Sequence, residues 1–114
     1  MRSVVRDKSF QFAIRIVKLY KFLCANKKER TMAQQLLRAG TSIGANVAES
    51  EHAQSRADFA SKLNIALKEA AETDYWLSLL YETEYINEKE FISIITDCRE
   101  VESILASIVK SLKQ

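Results

Sequence analysis

The sequence predicts an all-α protein, folded as an antiparallel up-down-up-down four-helix bundle. Apolar residues recur at helical spacing along nearly the whole chain, and capping residues mark three helix starts. The connections between the helical segments are only about three to five residues long, which makes consecutive helices antiparallel neighbours. With 114 residues, the chain has the length of one domain, residues 1–114.

Four helical segments are predicted, at residues 7–25, 31–50, 55–84 and 87–112. Capping pairs mark the starts of the last three: Thr31 with Gln34, Ser55 with Asp58, and Asn87 with Glu90. In the fourth segment, apolar residues follow alternating steps of three and four from Phe91 to Leu112, which is the spacing of coiled-coil-like packing. That side of the fourth helix is therefore expected to face the core.

Composition favours a cytoplasmic globular protein. Hydrophobic residues make up 47% of the chain and charged residues 28%, so a packed interior can form. No apolar run approaches the roughly 18 residues that cross a bilayer, and the stretch MRSVVRDKSF lacks the apolar segment of a signal peptide. We therefore expect no membrane partner. Cys24 and Cys98 lie far apart inside apolar helical patterns and are predicted to be reduced, buried thiols.

The net charge of +2 hides an uneven distribution of charge. Residues 1–57 hold eleven basic and four acidic side chains, whereas residues 58–114 hold six basic and eleven acidic ones. Two interpretations stay open at this point. The basic half binds a polyanion such as RNA or DNA, or it pairs with the acidic half, within one subunit or across an interface.

The first helix carries more apolar surface than one bundle needs. One row holds Phe10, Ala13, Ile14, Val17, Tyr20 and Cys24, and a second row holds Phe12, Ile16, Leu19 and Leu23. Together the rows cover roughly 220° of the helix, whereas roughly 100° suffices to face one core. We predict that second rows on the first and third helices form an oligomer interface, composed of Phe12, Ile16, Leu19, Leu23, Ile65, Trp76 and Leu79. The alternative is a wide core around a deeply buried first helix.

Both glycines of the chain lie in the stretch RAGTSIGANVAE of the second helix. A phosphate-binding loop is excluded, because the spacing is one residue short, an alanine stands where a lysine is needed, and no strand precedes the stretch. Gly40, Gly44 and Ala48 instead form a ridge poor in side chains, which predicts close packing of a neighbouring helix. A kink at Gly40 is the alternative. Asn46 and Asn64 are candidates for a hydrogen bond between two helices.

Three stretches, KSFQFAIRIVKLYKFL, QLLRAGTSIGANVAES and FASKLNIALKEAAETDYWLSLL, resemble the family of four-helix-bundle proteins encoded in intervening sequences of bacterial 23S rRNA genes. The likeness covers nearly the whole chain. Similar proteins include the accessory protein of diversity-generating retroelements, a basic pentamer that engages nucleic acid and a reverse transcriptase. The resemblance implies the bundle and a homo-oligomer of five subunits, and it suggests RNA or DNA as partner. This chain departs from the strongly basic retroelement protein in its acidic second half.

Catalysis and metal binding find no support in the sequence. Glu49 and His52 have the spacing of a di-iron ligand pair, but that site needs two such motifs and the chain has one histidine. One histidine also leaves no Cys–His or Ser–His arrangement of a nucleophilic enzyme within a single chain. We predict a non-enzyme with no metal and no cofactor. A metal-dependent bundle enzyme is the remaining alternative.

Candidate nucleic-acid-binding residues lie on the polar side of the first helix and near the start of the second: Lys8, Arg15, Lys18, Lys21, Arg30 and Arg38. Repeated around a ring, such cations would make many weak phosphate contacts at once. The expected function is therefore a non-catalytic homo-oligomer, pentameric on the family resemblance, that binds RNA or DNA non-specifically. The alternative is an oligomeric scaffold for a protein partner, such as a reverse transcriptase or a ribosome-associated factor.

Overall fold

Residues 4–113 are described in the computed structural model, and they form four α-helices joined by short loops. α1 spans Val4–Asn26, α2 Thr31–Ser50, α3 Arg56–Glu82 and α4 Glu88–Leu112. The helices follow the predicted order, and their ends lie within three residues of the predicted ones. None of these helices combines the length and the hydropathy needed to cross a bilayer. The predicted all-α fold is confirmed over the residues described.

Contacts between the helices show that each helix runs antiparallel to the next. Ile16 of α1 lies against Gly40 of α2, while the earlier Ser9 lies against the later Gly44. The same reversal is seen in the pairs Arg38–Glu72 and Glu49–Lys62 between α2 and α3, Asp74–Arg99 and Tyr81–Phe91 between α3 and α4, and Lys8–Glu100 and Arg15–Asp97 between α4 and α1. The four helices therefore form an up-down-up-down bundle in which α4 returns to α1.

Two of the three predicted helix starts have the expected caps. The Asn87 side chain accepts a hydrogen bond from the Glu90 backbone at 2.8 Å, and the Glu90 carboxylate accepts one from the Asn87 backbone at 2.9 Å. At the start of α3, Ser55 Oγ accepts from the Asp58 backbone at 3.0 Å. Because these bonds satisfy amide groups that have no partner inside the helix, they define where α3 and α4 begin.

The predicted capping box at Thr31 is wrong. Thr31 is already the first helical residue of α2, and the preceding Arg30 makes no side-chain cap. The carboxylate of Glu29 takes the role instead, because its Oε2 accepts the Met32 backbone N–H at 2.6 Å. A carboxylate at this end is also favoured by the positive end of the helix dipole.

The two glycines lie inside an uninterrupted α2 and face α1. A Cβ atom added at Gly40 would lie 2.7 Å from Cγ1 and 2.8 Å from Cγ2 of Ile16. At Gly44 it would lie 3.3 Å from the backbone oxygen of Ser9. The absence of side chains on this ridge therefore lets the two helices approach closely, and α1 is the neighbour that does so.

The core runs the length of the bundle and draws on all four helices. The predicted row of α4 faces inward, with Ile94, Cys98, Val101 and Leu105 buried. The expected hydrogen bond between Asn46 and Asn64 does not form. Asn46 donates to the Ser42 carbonyl of its own helix at 2.9 Å, and Asn64 is exposed. Because Asn46 has a backbone partner and Asn64 is open to solvent, neither amide needs a bond between the helices.

Candidate nucleic-acid interface

Half of the six predicted binding residues are neutralised by carboxylates of the second half of the chain. Lys8 Nζ lies 3.1 Å from Glu100 Oε2, and Arg15 Nη1 lies 2.7 Å from Asp97 Oδ2. The Arg15 guanidinium also donates to the backbone oxygen of Ser93 at 3.1 Å and to its hydroxyl at 2.9 Å. α4 therefore holds both cations of α1 at its own surface.

Arg38 connects α2 to α3 in the same way. It donates to Glu69 Oε1 at 3.3 Å and to the Glu72 carboxylate. The Trp76 indole N–H also donates to Glu72, at 3.0 Å. The pKa of Glu72 is lowered from its ordinary value, first by the Trp76 hydrogen bond and then by the one from Arg38. For Lys8, Arg15 and Arg38, pairing with the acidic half within the chain is thus the interpretation that the geometry supports.

The other predicted cations lie in the second half of α1 and just before α2. Lys18, Lys21 and Arg30 are exposed, and none belongs to a salt bridge with another described residue. Lys27 and Lys28, in the loop between α1 and α2, share both properties. We refer to the set Lys18, Lys21, Lys27, Lys28 and Arg30 as the cationic end. Exposed and without carboxylate partners among residues 4–113, these side chains are the ones that remain able to meet a polyanion.

Contacts to the end of α1 position two members of the cationic end, Lys27 and Lys28. Lys28 adopts a left-handed conformation with φ of 56°, and its Nζ donates to the Ala25 carbonyl at 3.2 Å. Lys27 Nζ lies 5.9 Å from the centre of the Phe22 ring. The one carboxylate inside this segment, Glu29, is held as the cap of α2 and does not pair with the lysines. The loop therefore presents its cations outward.

A groove opens beside the cationic end, between α1 and α4. These two helices make the least extensive contact of the four neighbouring pairs. The groove has a volume of about 680 Å³. Its lining combines apolar side chains with charged and polar ones: Leu19, Phe22, Ile86 and Ile94, together with Arg15, Lys18, Asn87, Lys89, Glu90 and Ser93. Phe22 and Lys89 were not among the predicted site residues, because neither belongs to an apolar row or a basic run in the sequence.

The prediction that Phe12, Ile16 and Leu23 form an outer surface is wrong. All three are almost completely buried in the core of the single chain. Leu19, the fourth member of that row on α1, is half-buried and lines the groove. Both rows of α1 are apolar. The Ile16 side chain packs against Gly40, which has no side chain of its own, so the row that contains Ile16 faces inward against α2.

The exposed apolar surface of α1 is the other row. Phe10 is 63% exposed and Ile14 37% exposed, while Ala13 and Val17 are half-buried. At 100° per residue these four side chains fall within an arc of about 100°. We call them the outer apolar face of α1. The core of this chain does not cover them, because that space is taken by the opposite row.

The predicted second row of α3 lies at the surface without forming a comparable strip. Ile65 is 38% exposed, whereas Trp76 and Leu79 are half-buried. Trp76 is tied to Glu72 by its indole N–H and stands edge-on to Tyr75, with ring centres 5.0 Å apart. Part of the surface that the apolar pattern predicts as an oligomer interface is therefore in contact with other residues of the same chain.

The one E-x-x-H pair lies at the end of α2 with both side chains exposed. Glu49 pairs with Lys62 of α3 at 3.0 Å. Over residues 4–113 no group of three or more His, Cys, Asp and Glu side chains is placed to hold a metal ion. Cys98 is buried, and burial is the main cause that raises the pKa of its thiol to about 12; Cys24 is half-buried.

Fold and site together define a small four-helix-bundle protein with a cationic end and an uncovered apolar face on its first helix. The chain belongs to the 23S rRNA-intervening sequence protein family, whose model matches residues 1–107. It is similar to a crystal structure of a protein of unknown function from the S23 ribosomal protein family of Bacteroides thetaiotaomicron VPI-5482. The sequences are 61% identical over 94% of this chain and 99% of the other, with a TM-score of 0.93. Among curated proteins the chain finds no match.

Proposed function

We propose that the protein is a non-catalytic homo-oligomer that binds RNA or DNA non-specifically through its phosphates. The observation that carries the binding is the cationic end, where Lys18, Lys21, Lys27, Lys28 and Arg30 are exposed and without carboxylate partners in the described chain. Phosphate contacts by such side chains need no base recognition. Lys8, Arg15 and Arg38, being paired, have a structural role in this proposal.

Self-association is the second part of the proposal, and the outer apolar face of α1 supports it. A large aromatic side chain that is 63% exposed beside a partly exposed isoleucine is costly to leave in water. Burial against another copy of the chain removes that cost. Five subunits is the number that the family resemblance suggests. A ring would repeat the cationic end on every subunit and turn weak phosphate contacts into useful avidity.

Light scattering on the full chain tests the assembly. The double variant Phe10→Gln/Ile14→Gln is expected to lower the measured mass towards that of one chain while the helical circular dichroism signal is kept. Ile92→Gln is the control, because Ile92 is 54% exposed on α4 and does not belong to the outer apolar face of α1. A wild-type protein that stays a single folded chain at all concentrations would refute self-association.

Fluorescence anisotropy with a labelled oligonucleotide, measured over a range of salt concentrations, tests the binding. The logarithm of the affinity should fall linearly with the logarithm of the salt concentration. Lys18→Gln/Lys21→Gln is expected to weaken binding and to reduce the slope by about one for each phosphate that is no longer neutralised. The control Lys8→Gln/Arg15→Gln changes the net charge equally but removes paired cations, so its effect should be smaller. If the two variants weaken oligonucleotide binding equally, the total charge of the protein explains the binding and the cationic end does not.

A protein-binding scaffold is the second candidate function, and one observation favours it. A smaller groove of about 460 Å³ shares Lys27 with the cationic end and is otherwise lined by Glu84, Glu88 and Glu90 together with Tyr81 and Tyr85, among others. These carboxylates repel a polyanion and attract a basic protein surface instead. A complex with a purified basic partner that survives nuclease treatment and dissociates at high salt would support this function. Loss of the complex on nuclease treatment would exclude it.

A further inference from the structure

The groove between α1 and α4 has an apolar interior beside the cationic end. Ile86 and Ile94 are buried, and Leu19 and Phe22 are half-buried at the same seam. Its volume of about 680 Å³ lies in the range of pockets that hold drug-sized ligands, which also covers a nucleobase with its sugar. Apolar lining with an aromatic ring is suited to a flat, weakly hydrated group.

The charges along the groove select an anion. Lys18 on α1 and Lys89 on α4 contribute one exposed ammonium group from each wall, and neither is in a salt bridge with a described residue. The Arg15 guanidinium on the same lining is bound to Asp97. Glu90, the carboxylate on the lining, keeps its negative charge while it accepts a hydrogen bond from the Asn87 backbone, so the two ammonium groups outnumber it by one. An occupant with a flat apolar part and flanking negative charges therefore matches the groove.

We infer that this groove takes unstacked bases of single-stranded RNA or DNA, with the adjoining phosphates on Lys18 and Lys89. The inference rests on the proposed function, since Lys18 belongs both to the groove and to the cationic end. Lys27, whose Nζ lies 5.9 Å from the centre of the Phe22 ring on the groove lining, would hold a further phosphate of the same strand. Phe22 offers a ring on which a base can stack, and stacking of this kind tolerates any base.

A preference for single strands is the property that separates this inference from simple charge attraction. Double-stranded DNA carries one negative charge per about 1.7 Å of its axis, so phosphate contacts alone favour the duplex. Bases inside a duplex are paired and stacked, and they do not enter a groove between two helices. A tighter complex with a single strand therefore requires contacts to the bases themselves.

The test compares a labelled oligothymidine of about 20 nucleotides, longer than one binding site needs, with a duplex of the same length and label. Fluorescence anisotropy on the full-length wild-type chain should show tighter binding of the single strand. Phe22→Leu keeps an apolar side chain but removes the ring, and it should weaken single-strand binding about fivefold or more. Duplex binding should stay unchanged. Tyr75→Leu is the matched control, since this ring is 58% exposed on α3 and outside the groove.

Phe22 is half-buried, so a second variant guards against a loss of folding. Ser93→Leu changes an exposed residue of the groove lining and fills the space where a base would enter. The variant also loses the hydroxyl that accepts from Arg15, whose bonds to the Ser93 carbonyl and to Asp97 remain. Single-strand affinity should fall while the helical circular dichroism signal at the assay temperature is kept. Equal affinity for both probes, or a single-strand preference that neither variant reduces, would overturn the groove proposal while phosphate binding stands. No salt-dependent binding of either probe would overturn the proposed function and this inference with it.

Discussion

Replacing Gly40 by alanine should destabilise the protein, although the same change at an ordinary helix position is stabilising. The new methyl group would lie 2.7 Å from Cγ1 and 2.8 Å from Cγ2 of Ile16. Ile16 is completely buried and branched at Cβ, so these atoms are not the free end of a flexible side chain. The clash has to be relieved by moving α1 away from α2.

Two opposing terms decide the magnitude. Alanine is favoured over glycine inside a helix by about 1 kcal/mol. Overpacking a well-filled core costs about 1 to 3 kcal/mol. The net expectation for Gly40→Ala is therefore a loss of about 1 kcal/mol. Ile16→Ala alone should cost about 2 to 5 kcal/mol through the cavity it leaves. In that background Gly40→Ala meets no clash and should stabilise by about 1 kcal/mol, a coupling of about 2 kcal/mol.

Urea unfolding followed by circular dichroism measures these differences in the free energy of unfolding. All variants should be compared at several protein concentrations, because self-association would add stability that depends on concentration. Ala45→Gly is the control for helix preference, since Ala45 is exposed on the same helix, and it should cost about 1 kcal/mol. If Gly40→Ala is stabilising, or acts equally with and without Ile16, then close approach of α1 does not explain the glycine.

Three further predictions follow from the caps, the carboxylates and the thiols. Asn87→Ala should cost about 1 kcal/mol of stability by urea unfolding, whereas Thr31→Ala, whose side chain caps nothing, should be nearly neutral. Trp76→Phe removes a hydrogen bond to Glu72, so the pKa of Glu72 in an NMR titration should rise towards its ordinary value. A carboxyl whose pKa is lowered by folding contributes stability above its ordinary pKa and loses it as the pH falls through the lowered value, so this variant should lose less stability in acid. In a thiol-reagent assay at neutral pH, Cys24 should react first. Cys98, with its pKa of about 12, should react only when the protein unfolds.

Much of the local structure is readable from short stretches of sequence. The helical spacing of apolar residues, and caps such as Ser55 and Asn87, depend on residues within one or two turns of each other. Short loops then leave few arrangements other than an antiparallel bundle. Thr31 is the exception, because a threonine and a nearby carboxylate both compete for the same free amides, and Glu29 lies within reach of the Met32 amide.

The sequence by itself determined the four helices, their antiparallel order and a surplus of apolar surface on the first helix. Only the tertiary structure decided that Phe12 and Ile16 face inward and Phe10 and Ile14 outward, because both rows are equally apolar and the choice depends on how α1 is rotated against α2. It also decided which cations are free. Arg38 pairs with Glu72, which lies 34 positions further along the chain. Such a pairing depends on how α2 and α3 are aligned, and local sequence patterns do not predict that alignment.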